Sequence, residues 1–204
     1  MVKDKKQFEE YSQPSFYRFS DDTIMFSKMS ARLINALSAQ YSRILDFGAG
    51  CGVIGIEIKQ LLSESCQVDF LESQREFDHC LAANLKRFQI NDSRIFGGFE
   101  EIADKYDIIV SNPPFFDLNS SRSSPCPLKN MCRLISKENA DLWLKRLYSI
   151  CEPGGLVFLQ LPSLEKTRFW DKRLDIFCRK QRIDVEIMGK AKASEFIYFK
   201  KKIL

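Results

Sequence analysis

At 204 residues the chain has room for one α/β domain with a proper core and a short extension, and is too short for two full domains. An apolar share of 45%, a charged share of 28% and a net charge of +4 are ordinary for a globular protein, and no apolar stretch approaches the roughly 20 residues of a membrane span, which argues against a membrane protein. Met1-Val2-Lys3-Asp4-Lys5-Lys6 is charged where a secretory leader would be apolar, so the cytoplasm is the expected compartment.

Periodicity predicts alternating helices and strands. Asp21 or Asp22 can cap a first helix whose apolar positions Met25, Met29, Leu33 and Leu37 recur every four residues. Arg43 to Phe47 reads as a buried strand that ends in a glycine-rich turn, with a helix after it through Ile54, Ile58, Leu61 and Leu62. Gln67 to Glu72 is a second strand, and Phe77, Leu81, Leu85 and Phe88 mark the inner face of the next helix. Ser93 to Gly97 is a short third strand and Tyr106 to Ser111 a fourth that stops at two prolines. Residues 116 to 130 form a long irregular stretch rich in Ser, Pro and Asn, placed where a substrate loop would be. A helix through Trp143, Leu147 and Ile150 leads to a strand at Gly155 to Leu161, and Ile183 to Met188 and Phe196 to Lys201 close the chain as a hairpin. The pattern implies a mostly parallel, doubly wound sheet with the last strand inserted antiparallel. Residues 1–40 are expected to be a helical N-terminal extension and 41–204 the main α/β domain.

Seven cysteines at irregular spacing, with no CxxC pair and one histidine, His79, argue against a metal site or a disulfide framework. His79 is read as structural. The C-terminal quarter, residues 161–204, carries 12 Lys and Arg against 6 Asp and Glu, a surplus that suits a phosphate backbone or simply a solvated face.

The chemistry is concentrated in two segments. In the first, Asp46, Gly48, Ala49, Gly50 and Gly52 form a turn out of a strand where a ligand can approach the backbone before a helix starts. Glu72, about 20 residues on at the end of the next strand, can accept two hydrogen bonds from a ribose diol. A nicotinamide dinucleotide competes for this signature, but Asp46 places negative charge beside the turn. That disfavours a pyrophosphate and suits the ammonium end of a methionine-derived cofactor, or merely ties down the turn. In the second segment, Asn112-Pro113-Pro114-Phe115 ends the fourth strand and should face the same crevice. Two prolines stiffen the backbone and remove two N–H donors, which leaves the Asn112 amide and the Pro113 carbonyl as acceptors for an NH₂ group. Phe115 can stack on the planar group that carries the amine, worth about 1–3 kcal/mol.

On these residues the chain resembles the Asn-Pro-Pro-(Tyr/Phe) class of Rossmann-fold S-adenosylmethionine-dependent methyltransferases, from about Tyr17 to Gln160. The resemblance implies a seven-stranded sheet and S-adenosyl-L-methionine as cofactor. It assigns cofactor binding to Asp46, Gly48, Ala49, Gly50, Gly52, Glu72, Ser73, Phe99 and Asn112, and catalysis to Asn112, Pro113, Pro114 and Phe115, with no metal. Ala83-Asn84 fits the same pattern. Tyr17 to Phe26 is similar to the entry segment of bacterial enzymes that methylate the exocyclic amine of adenine 37 in valine tRNA, which implies an RNA partner. Those relatives carry Ala-Arg-His-Glu beyond the loop where this chain has Cys132-Arg133-Leu134-Ile135. A guanine amine in ribosomal RNA and a glutamine amide of a translation release factor are the alternative substrates.

Overall fold

The computed structural model describes residues 10–37, 41–62, 66–163 and 168–203. The first nine residues of the 1–40 segment therefore lie outside the described residues.

The centre of the molecule is a seven-stranded sheet of order β3-β2-β1-β4-β7-β9-β8. Its parallel part comprises β1 (Arg43–Phe47), β2 (Gln67–Leu71), β3 (Ile95–Phe96), β4 (Tyr106–Ser111) and β7 (Cys151–Pro162). The hairpin of β8 (Glu186–Lys190) and β9 (Ser194–Lys200) folds back so that β9 lies antiparallel between β7 and β8. This is the topology expected from the sequence. β1 and β4 are near-continuous apolar runs because strands in the middle of a parallel sheet are covered on both faces.

Helices cover the two faces. α1 (Asp21–Ala36), α2 (Val53–Leu61) and α3 (Asp78–Arg87) share one core, with Phe26, Ile56, Phe70, Leu81, Phe158 and Phe196 buried in it. α5 (Lys137–Ile150) and α6 (Arg168–Gln181) close the other face over Ile109, Leu144, Leu147, Val157, Trp170 and Leu174. α1 is thus part of the main packing.

Several boundaries differ from the periodicity. α1 starts at Asp21 and its N-cap is Ser20, so Asp21 and Asp22 occupy the first turn; the Asp22 carboxylate accepts instead from the Ser194 hydroxyl at 2.8 Å. The third strand shrinks to two residues, and the strand expected at Gly155 begins at Cys151. α6 is missing from the sequence reading: Trp170, Leu174 and Phe177 bury one face of it, but they stand singly among charged residues. The stretch 116–130 is not wholly irregular. β5 (Phe116–Asp117) pairs in parallel with β6 (Leu134–Ile135), and α4 (Pro127–Met131) starts with a proline at its first position. Among the described residues, no helix is long and apolar enough to cross a membrane.

Candidate active site

Strand register decides which residues meet. Phe47 is level with Leu71 on one side and Ser111 on the other, and Ser111 is level with Leu159. The next residues of β2, β1 and β4 leave the sheet at its carboxyl edge while β7 runs on against β9, so Glu72, Gly48, Asn112 and Gln160 form a row across β2, β1, β4 and β7. The strand order reverses within this row, between β1 and β4, where ligands of open α/β sheets bind.

A cleft of about 940 Å³ opens over that row. It is lined by Gly48, Gly50, Glu72, Ser73, Phe99 and the whole Asn112 to Phe115 turn, so both chemical segments of the sequence face one space. Asp46, Ala49 and Gly52 lie behind the lining and shape the loop. Gly48 and Ala49 both donate backbone N–H to the Leu71 carbonyl at 2.9 Å, which docks the turn onto the end of β2. Gly52, at φ +80°, caps α2, and a Cβ there would sit 2.6 Å from Leu81. Gly50, at φ +55°, would meet only the Phe77 ring, at 3.7 Å, so there is space beside it on the cleft side.

The two acids are held differently. Glu72 is buried; its Oε2 accepts from Gly50 N–H at 2.7 Å and its Oε1 from Gln74 N–H at 2.8 Å. Burial raises its carboxyl above the usual range, and those N–H groups pull it back. Asp46 is fully buried, with Oδ2 accepting from Gly55 N–H at 2.8 Å and Oδ1 without a partner. Burial pushes it up to about 7; the Gly55 N–H opposes the rise and Glu72 adds to it.

On the β4 side two acceptors lack a partner among the described residues. Asn112 Oδ1 is buried without a partner. The Pro114 carbonyl accepts from Trp170 Nε1–H at 3.1 Å, while no described residue donates to the Pro113 carbonyl. Gln160, which the sequence reading placed only as the end of a strand, lines the same cleft with its Oε1 unpartnered. Its orientation follows from its neighbours. The Asp22 carboxylate can only accept, so Ser194 gives it its single proton and must itself accept from Gln160 Nε2–H, at 3.3 Å.

Aromatic rings close the cleft. Trp143 packs over Gly48, meets Phe47 edge to face at 4.9 Å and donates Nε1–H to Ser111 Oγ at 3.0 Å. Phe99 lies by Phe47, with the Arg146 guanidinium 4.7 Å from its ring centre. The segment around Tyr17 forms another wall, since Phe16, Tyr17, Arg18 and Thr23 all line the cleft. Asn84 holds that wall: its Nδ2 donates to the Ser12 and Cys51 carbonyls at 3.0 and 2.9 Å, and its Oδ1 accepts from Ser12 N–H at 2.7 Å. Arg133, the arginine kept beyond the loop, stacks over Phe116 at 5.1 Å. Cys132 lines the cleft with its thiol pushed up by burial to about 11, so it is no thiolate near neutral pH. All seven cysteines are free thiols. His79 is exposed on α3 and does not line the cleft, so it is not part of the packed core.

The residues present fit a methionine-derived cofactor. Gly50 with space beside it and the Glu72 carboxylate offer room and acceptors at one end of the cleft, with the buried Asp46 shaping the loop from behind. The fold and this site define an S-adenosylmethionine-dependent methyltransferase. Residues 18–124 match the methyltransferase small domain, and the chain belongs to that family. It is 27% identical over 145 residues to the tRNA1(Val) (adenine(37)-N6)-methyltransferase of Actinobacillus pleuropneumoniae serotype 5b, an alignment covering 68% of this chain and 60% of that protein. It is 40% identical over 81 residues to the ribosomal RNA small subunit methyltransferase C of A. pleuropneumoniae serotype 3, covering 37% of this chain and 23% of that one. The chain thus spans less than two thirds of these curated relatives. A T. thermophilus 16S rRNA N2 methyltransferase, solved with AdoMet and guanosine, has the same fold at a TM-score of 0.63 and 14% identity, over 92% of this chain and 45% of that one.

Proposed function

We propose that this protein transfers a methyl group to the exocyclic amine of adenine in RNA, with tRNA as the first candidate. Residues 41–204 carry the catalytic groups in this reading, and residues 1–40 are an N-terminal extension whose Phe16 to Thr23 stretch walls the cleft. The observation that carries the proposal is the unpartnered, buried Asn112 Oδ1 beside the free Pro113 carbonyl, in the same cleft as the glycine loop and Glu72. Leaving a buried acceptor unpaired costs about 1–3 kcal/mol, a cost that a donor from the substrate removes.

Glu72 would hold the ribose diol, the Gly48 to Gly50 backbone the amino-acid end, and Phe99 the adenine of the cofactor. When bound, S-adenosylmethionine supplies a sulfonium methyl open to in-line attack. The chain's own task is to make a conjugated amine nucleophilic. Asn112 Oδ1 and the Pro113 carbonyl accept the two amine hydrogens and draw them out of the ring plane, so the lone pair is no longer shared with the ring. Phe115 stacks on the base and fixes its distance from the cofactor end of the cleft. The cationic product is acidic enough to lose its proton to water, so no histidine base is needed.

Methylation of a guanine amine is the second reading, and Gln160 favours it. An amine has two hydrogens, which Asn112 and Pro113 can take; a third free acceptor suits the ring N–H beside the guanine amine. Incubation of unmodified total tRNA and rRNA with the protein and labelled cofactor, followed by mass spectrometry of the nucleosides, separates the two. N6-methyladenosine is the expected product. Labelled N2-methylguanosine would select the second reading, and label in protein alone would reject both.

A further inference from the structure

The main cleft does not end at Phe115. Phe115 and Phe116 also form a wall of a second groove of about 390 Å³, in which Lys137, Arg168, Lys172 and Arg173 face Phe169 and a single carboxylate, Asp117. Arg173 is paired with Asp141 at 3.3 Å, but Lys137, Arg168 and Lys172 are exposed and form no ion pair with a described residue. Arg168 and Lys172 stand one turn apart at the start of α6, on a helix face directed to this groove.

The groove is tied mechanically to the amine-binding turn. Trp170, in the first turn of α6, donates to the Pro114 carbonyl and meets Phe169 edge to face at 5.7 Å. Phe116 is held in β5 by the Phe116 N–H bond to the Arg133 carbonyl at 2.9 Å. Consecutive aromatic residues, Phe115 and Phe116, therefore serve two adjoining spaces, one over the row of free acceptors and one among exposed cations.

We infer that this groove seats the nucleotide next to the one methylated, with its phosphates against Lys137, Arg168 and Lys172 and its base against Phe169 and Phe116. The inference rests on the RNA reading above. Cations interleaved with aromatic rings suit a single strand whose phosphates and base faces alternate, whereas an acidic peptide would leave the rings without flat partners. A polymer longer than one nucleoside is then bound at two places, and the groove contributes to affinity and not to the chemical step.

Arg168→Glu and Lys172→Glu test this against Lys86→Glu, which makes the same charge change on the exposed face of α3, away from both cavities. RNA affinity is measured at graded salt, together with kcat and KM for RNA and the Kd for S-adenosylmethionine. Each groove variant is expected to weaken RNA binding and raise KM about 10-fold, and to flatten the salt slope by about 0.7, the share of one phosphate contact on a single strand. The maximal rate and cofactor affinity stay as in the parent, and Lys86→Glu has little effect. Equal losses in all three variants would reduce the groove to a general charge effect and overturn the inference. So would unchanged KM in the groove variants of a protein that does methylate RNA, an outcome that leaves the amine chemistry standing. A parent protein that labels no RNA and instead labels a protein amide would overturn the RNA reading and the groove together.

Discussion

The two edges of the central sheet treat buried polar groups in opposite ways. In the middle of β2, with partners reaching it from the strand starts, Asp69 is 1% exposed and fully engaged: Arg94 Nη2 lies 2.7 Å from its Oδ2, Tyr106 donates its hydroxyl at 2.8 Å, and Arg94 N–H reaches its Oδ1 at 2.9 Å. Asp107 is likewise used there, accepting from the Ser42 and Arg43 N–H groups, each at 3.0 Å. At the carboxyl edge, Asp46, Asn112 and Gln160 each keep a buried oxygen with no partner. Ser30 and Ser93 also keep unpartnered hydroxyls elsewhere, but native proteins satisfy nearly all such groups, and two of these acceptors, Asn112 and Gln160, line one cleft, which marks a place where a donor can be received. One edge secures the fold. The other leaves acceptors open towards the cleft.

Substitutions at the two edges should therefore separate stability from activity. The largest effect is expected from Asn112→Ala: kcat falls about 10²- to 10³-fold, the Kd for S-adenosylmethionine stays within about twofold, and the melting temperature does not drop, because the lost acceptor had no partner. Retained turnover would remove Asn112 from the mechanism. Arg94→Ala attacks the other edge. It leaves Asp69 buried with only part of its network, and should cost about 2–3 kcal/mol in denaturant unfolding while the folded fraction keeps its kcat. A loss of kcat without a loss of stability would erase the contrast between the edges.

Asp46 gives a pH signature. Its raised value of about 7 means that the folded chain holds this proton more tightly than the unfolded chain between the ordinary carboxylate range and neutral pH. Stability from this group falls as the pH climbs through that window and is level above it. Asp46→Asn should thus raise the melting temperature clearly at pH 8 and much less at pH 5; an equal shift at both would show that Asp46 is not the titrating group. Gln160→Met is the mildest test. Removing the third acceptor should raise KM for RNA about 10-fold with a guanine target and only about two- to threefold with adenine, at unchanged cofactor affinity. Identical changes for both bases would mean that Gln160 does not read the ring N–H.

What could be read in the sequence was whatever the backbone alone determines. Arg43 to Phe47 and Tyr106 to Ser111 were bounded correctly because apolar runs meet glycines at one end and prolines at the other. The glycine loop, Glu72 and the Asn112 turn could be placed in one crevice because parallel strands must send their carboxyl ends to the same edge. Residues whose role comes from tertiary packing were not legible. Trp143 was read as one more apolar helix position, yet its ring lies over Gly48. Gln160 is one polar residue in an apolar strand, and only Asp22 and Ser194, far away in sequence, fix which end of its amide faces away from them. α6 was missed because Trp170, Leu174 and Phe177 give too sparse a stripe, and their partners lie on other elements. The chain from 116 to 130 looked structureless because what organises it, the pairing of β5 with β6, comes from residues beyond it.

Asn84 gives the molecule a shared clasp. One amide grips the backbone of Ser12 on both its donor and acceptor sides and reaches the Cys51 carbonyl at the root of the nucleotide loop. The chain leading to the Tyr17 wall and the start of α2 beyond the glycine loop thus hang on a single side chain, so that Asn84→Ala would release two walls of the cleft with one substitution.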